Sequence, residues 1–161
     1  MPAIAVTQSE WLRAAVRTRI EAPSCLVDAI EKGTCDASLA DAPHPHIIID
    51  LDATGSPLGP ARRKCDFLFF ADPNVVMPIE IKDGAPNVAR ATRQLQAGAK
   101  AADRLAPRGL PINFRPALVC RPLRRQKGFD LRQAVVVFRG RTEPVGHVEC
   151  GSPLTDAFRN L

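Results

Sequence analysis

Three ionisable residues on two neighbouring apolar runs could do chemistry together. Asp66 lies in Cys65-Asp66-Phe67-Leu68-Phe69-Phe70, and Glu80 and Lys82 close the run from Val75. Two carboxylates at the edge of a small sheet can hold Mg²⁺, which prefers oxygen ligands and keeps several waters. A lysine beside them can steer an attacking water or offset charge on a phosphate. Side chains alternate across a strand, so Glu80 and Lys82 share one face while Ile79 and Ile81 take the other. Asp72-Pro73-Asn74 reads as a tight turn between the runs. That loop length pairs Ala71 with Val75 and sets Asp66 opposite Glu80. Directly opposed residues have Cβ atoms roughly 4.5–5.5 Å apart, where two like charges repel unless a cation bridges them. The plainer reading pairs Asp66 with Arg62 or Arg63 and makes Glu80 and Lys82 a weak surface ion pair.

The surrounding chain has to position these groups. Thr7-x-x-Glu10 reads as a capping box ahead of a helix over 8–21, stopped by Pro23. Ser24 opens a second short helix through Lys32 with Gly33 as its terminator, and 34–45 reads as loop. Strand-like runs follow at 47–52, 65–70 and 75–82, the first two separated by a Gly/Pro loop. Pro78 lacks an N–H, so it argues for an edge position or a bulge. A helix over 86–105 comes next, with an apolar stripe of Val88, Ala91, Leu95, Ala99 and Ala102. Residues 117–120 read as a fourth strand, 121–129 as a basic loop and 133–138 as a fifth strand. A short edge strand at 145–149 and a closing helical turn at 153–160 complete the pattern. Asp50 and Asp52 read as turn-capping residues, and His44, His46 and His147 as loop or edge histidines.

At 161 residues the chain is long enough for one domain with a real core. Its 22 Lys+Arg against 17 Asp+Glu give a basic bias that suits a polyanionic partner. The excess concentrates between Arg108 and Arg141, where Arg121, Arg124, Arg125 and Lys127 form the densest group. The plainer reading of that group is a solvated surface. No apolar run is long enough to span a membrane, and the first residues lack the basic and apolar regions of a signal peptide. A cytoplasmic location is therefore expected. The five cysteines are widely spread, with no C-x-x-C pair, and read as reduced thiols in or near the core.

Asp66…Glu80-Ile81-Lys82, with the order of elements around it, resembles the core motif of the PD-(D/E)XK nuclease superfamily. The resemblance covers roughly residues 8–120. It implies an α/β restriction-endonuclease-like fold with an αβββαβ core, a mixed sheet flanked by helices, in a single nuclease-like domain over 1–161. It implies Mg²⁺ or Mn²⁺ held by Asp66, Glu80 and the Ile81 carbonyl, with Lys82 assisting hydrolysis. A glutamine on the following helix is common in the superfamily. Gln94 fills that place, 14 residues past Glu80, whereas Gln96 points away from it. A glutamate from the first helices is also common; Glu21 is the first choice and Glu31 the second. Cys65 stands where many members carry proline. The implied activity is metal-dependent hydrolysis of phosphodiester bonds in DNA, structure-selective or guided by a partner. Arg121, Arg124, Arg125 and Lys127 would hold the backbone without reading sequence. Homodimerisation is the simplest way for one site per chain to cut two strands. The alternative is a weak or inactive module of the same fold that binds nucleic acid or a protein.

Overall fold

The computed structural model describes residues 12, 15–20, 23–53 and 64–159. Its centre is a mixed sheet in the order β1-β4-β5-β6-β8-β11. These strands are β1 (Leu26–Val27), β4 (His46–Asp50), β5 (Phe67–Ala71), β6 (Val75–Lys82), β8 (Ala117–Cys120) and β11 (Gly146–Glu149). β4, β5 and β6 form an antiparallel meander, whereas β8 runs parallel to β6 and β11 parallel to β8. Parallel neighbours need a crossover, and helix α1 (Val88–Leu105) supplies the one between β6 and β8. Asn87 caps α1 by accepting a hydrogen bond from the Arg90 N–H at 3.0 Å.

Two apolar layers enclose the sheet. On one face Leu68, Phe70, Val76, Leu118 and Cys120 pack with Ala91, Leu95, Ala99 and Ala102 of α1, and with Leu12 and Val16 of an N-terminal segment that is helical over 15–18. On the other face Phe67, Phe69, Met77, Ile79, Ile81 and Val119 pack against Ile30, Cys35 and Ala37 and against Leu154 and Ala157 of a C-terminal 3-10 turn, Leu154–Phe158. The alternation along β5 and β6 thus feeds both layers, as expected of strands buried on both faces.

Several expectations are corrected. Residues 24–32 are not a helix. Pro23–Cys25 is a single 3-10 turn, followed by β1 and by a hairpin of β2 (Ile30–Lys32) and β3 (Cys35–Ala37). Gly33 ends no helix; with φ at +61° it starts the two-residue hairpin turn Gly33-Thr34, a position glycine takes without steric cost. Residues 121–129 are not all loop, since Arg125–Gln133 form helix α2, and the strand that follows, β9 (Val135–Phe138), starts two residues later than expected. It turns through Arg139 and Gly140, both at positive φ, into β10 (Arg141–Pro144).

Pro78 is neither at an edge nor in a bulge. It lies inside β6 between two partner strands. The parallel ladder is broken there instead: β7 (Asn113–Phe114) pairs with Val75 and Val76, β8 pairs with Ile79 to Lys82, and Pro78 falls in the gap. A residue without an N–H is tolerated where no ladder bond is asked of it.

The cysteines are not all reduced. Cys35 on β3 and Cys150 after β11 form a disulfide, while Cys25, Cys65 and Cys120 are buried thiols. Among the described residues no helix is long and apolar enough to cross a membrane.

Candidate functional site

The β5–β6 register decides where the acids meet. Ala71 pairs with Val75 and Phe67 with Ile79, which leaves Asp66, just ahead of β5, with its carboxyl beside that of Glu80. The Asp66 N–H donates to the Ile79 carbonyl at 3.0 Å. Both acids are buried, Asp66 at 5% and Glu80 at 0% exposure, in a layer that is otherwise apolar. A surface ion pair does not describe them.

Asp66 is well bonded. Its Oδ2 accepts from the Ile81 N–H at 2.7 Å, and its Oδ1 accepts from Lys32 Nζ at 2.9 Å. Glu80 is not: no N–H or hydroxyl donor bonds either of its oxygens, Lys82 Nζ stands 3.7 Å from Oε2, and its hydrogen-bond partner is the Asp66 carboxylate beside it. These surroundings push the two acids apart. Burial, then the neighbouring Asp66, raise the Glu80 carboxyl to about 9. Burial acts to raise Asp66 as well, but the proton on Glu80, the Ile81 N–H and Lys32 together outweigh it and hold Asp66 below the ordinary range. In the ion-free protein the pair therefore shares one proton at neutral pH, as like charges in one site must.

Helix α1 carries Gln94 along β6. Gly98 of α1 lies so close to Cys65 and Pro78 that an added Cβ would collide with Cys65 Sγ and meet Pro78 Cβ at 2.9 Å. Because α1 returns antiparallel to β6, four residues back along the helix cover about 6 Å. That is nearly the span of two strand residues, about 6.6 Å, which points Gln94 toward the Glu80 end of β6. Gln94 Oε1 is buried and has no hydrogen-bond partner. Gln96 faces elsewhere: its amide donates to the Val137 carbonyl at 2.9 Å and accepts the Val137 N–H at 2.8 Å, closing the free edge of β9.

The other expected residues are distributed around this centre. Glu21 and Glu10 lie outside the described residues, as do Arg62 and Arg63. Glu31 is exposed on β2. Asp50 accepts the Asp52 N–H at 2.9 Å, and Asp52 pairs with Lys64 at 3.5 Å, so both serve the turn after β4. Arg121 is tied down by Asp83, through a 3.3 Å ion pair and a bond to its carbonyl, and by the Thr34 hydroxyl at 3.1 Å. Lys127 Nζ donates to the Pro86 carbonyl. Arg124 and Arg125 are exposed at the start of α2. Arg124 and Lys127 line an open groove of about 780 Å³ with Asn87 and Thr92 at the start of α1, a few residues beyond Lys82.

Sequence reasoning missed Lys32 and the Thr34–Asp83 contact. The signal was present: Gly33-Thr34 between two short runs, Ile30-Glu31-Lys32 and Cys35-Asp36-Ala37, fits a two-residue hairpin as well as a helix stop. The Asp83 carboxylate accepts from both the Thr34 hydroxyl at 2.8 Å and the Thr34 N–H at 3.2 Å, bonds that hold it below the usual carboxylate range. They pin the hairpin tip to the end of β6.

The donor set can be tested against a divalent cation. Among the described residues no three His, Cys, Asp or Glu side chains gather as a metal group. Mg²⁺, however, is usually bound by only one or two carboxylates and completes its shell with water. Hard oxygen donors at Asp66 and Glu80, those of Glu80 buried with no N–H or hydroxyl donor on them, fit that requirement. The chain matches no protein-family model, and no curated protein and no solved structure matches it.

Proposed function

We propose that the protein is a Mg²⁺- or Mn²⁺-dependent nuclease acting on DNA, built on a restriction-endonuclease-like core. The observation that carries this reading is the buried pair of adjacent Asp66 and Glu80 carboxyls, with no N–H or hydroxyl donor on Glu80 and Lys82 3.7 Å away. A fold that served only stability would gain by replacing such a pair with apolar residues. The strand order β4-β5-β6-β8-β11, with β5 alone running against the others, supports the αβββαβ core. Asp66 and Glu80 would hold the cation with the Ile81 carbonyl, and a bound cation would supply a polarised water and offset phosphate charge. Lys82 is positioned to support that water or the charge developing on the phosphate. Gln94 closes the site from above.

The basic flank supports a polyanionic substrate. Helix N-termini favour negative charge, yet the first turn of α2 has no acid, and Arg124 and Arg125 stand there exposed. Positive groups at the positive end of a helix are suited to an incoming phosphate. A second reading, a binding module without turnover, is favoured by one contact: Lys32 already neutralises Asp66.

Plasmid, linear and branched DNA, and RNA, incubated with Mg²⁺, Mn²⁺ or EDTA, separate these readings. Metal-dependent cleavage lost in Asp66→Ala and Lys82→Ala is expected. Cleavage that survives both substitutions would sink the site assignment, and binding without cleavage on every substrate would favour the second reading.

A further inference from the structure

We infer that Lys32 is the site's built-in substitute for the divalent cation: its ammonium occupies the cation's place on Asp66 and must yield when the ion binds. This rests on the reading of Asp66 and Glu80 as a cation site. The contact is close, 2.9 Å from Nζ to Oδ1, but unequal in burial, since the Lys32 side chain is 52% exposed and that of Asp66 7%. Lys32 therefore has open solvent to withdraw into, whereas Asp66 cannot follow it.

The backbone that delivers Lys32 is held from three sides. Its partner across the hairpin is Cys35, which is bonded to Cys150. The tip at Gly33-Thr34 is bonded to Asp83. Arg121 locks Thr34 and Asp83 together. The hairpin stays, and the flexible four-carbon stem of the lysine does the moving. Once displaced, the ammonium remains at the mouth of the site, on the opposite strand pair from Lys82. A phosphodiester seated on the cation would then lie between two lysines, one from β2 and one from β6. Electrostatically, Lys32 lowers the affinity of the empty site for metal while adding attraction for the substrate's phosphate.

These two effects have opposite signs, which separates them from a purely structural role. Mn²⁺ affinity of the full chain, read by electron paramagnetic resonance titration without substrate, is compared for wild type, Lys32→Met, Lys32→Arg and Asp66→Asn. Lys32→Met is expected to bind Mn²⁺ about fivefold more tightly, the upper range of a half-exposed ion pair, and to cleave more slowly. Lys32→Arg should keep the wild-type affinity, and Asp66→Asn should bind no Mn²⁺. Unchanged or weaker affinity in Lys32→Met, or tighter affinity in Lys32→Arg as well, overturns the inference while leaving the cation site standing. A wild-type protein that binds no Mn²⁺ overturns the cation-site reading, and the inference with it.

Discussion

Replacing Glu80 by glutamine should stabilise the ion-free protein, and the gain should depend on pH. In the folded chain Glu80 titrates near 9, because burial and Asp66 disfavour its charge; its ordinary value is 4.5. A folded pKa raised above the unfolded one contributes stability that is complete below the unfolded value and is lost as pH climbs toward the folded value. At pH 7 the unfolded chain has released this proton and the folded chain retains it, across a gap of about 2.5 pH units. At about 1.36 kcal/mol per unit, that costs the wild type about 3 kcal/mol. Glutamine avoids the cost, is nearly isosteric, and still offers Asp66 an N–H donor. For a chain of this size the gain corresponds to roughly 6–12 °C in melting temperature. Thermal melts of both proteins in EDTA from pH 4.5 to 9 test it. The curves should meet near pH 4.5 and separate steadily as pH rises. Mn²⁺ should then raise the wild-type melting temperature and leave Glu80→Gln unchanged, because binding to the folded state alone is what stabilises. A difference that does not vary with pH, or a variant less stable than wild type at pH 7, would refute the account of the acid pair.

Two further outcomes test the scaffold that holds the site. Replacing Cys35 and Cys150 by serine opens a loop spanning 115 residues; a closed loop of about that length is worth about 4.7 kcal/mol in the chain-entropy account. The urea midpoint should fall accordingly and become insensitive to reductant, and an unchanged midpoint would show that the bond adds nothing. Gly98→Ala should cost about 1–3 kcal/mol by overpacking α1 against β6. Cys65→Ala should relieve only part of this, since Pro78 stays within 2.9 Å of the new methyl; wild-type stability in Gly98→Ala would mean that the helix is free to shift.

The acid pair and the sheet around it were legible because they rest on local rules. The alternation in 75–82 and the turn at 72–74 dictate which residues share a face and which stand opposed, so the register from Ala71–Val75 to Phe67–Ile79 follows from counting. The buried face and the end of α1 follow from its apolar stripe, whereas its start falls at Val88 and not at 86, because Asn87 takes the cap position. The segment 24–32 was misread because Gly33 serves a helix end and a hairpin turn equally well, and only pairing with 35–37 distinguishes them. Pro78 was misplaced for a similar reason. Proline forbids a ladder bond, but whether a central strand contains a gap to receive it depends on where β7 ends and β8 begins.

The amino-acid sequence by itself determined the residue types at the centre, two carboxylates and a lysine, their spacing and the strands that carry them. Tertiary structure alone decided three things: that both acids are buried, that Lys32 reaches Asp66 from 34 positions away, and that Cys35 finds Cys150. Burial and long-range contact depend on which elements pack over a strand. No periodicity within the strand encodes that; burial raises both carboxyls, and the Ile81 N–H and Lys32, which bond Asp66 and not Glu80, set their protonation states apart.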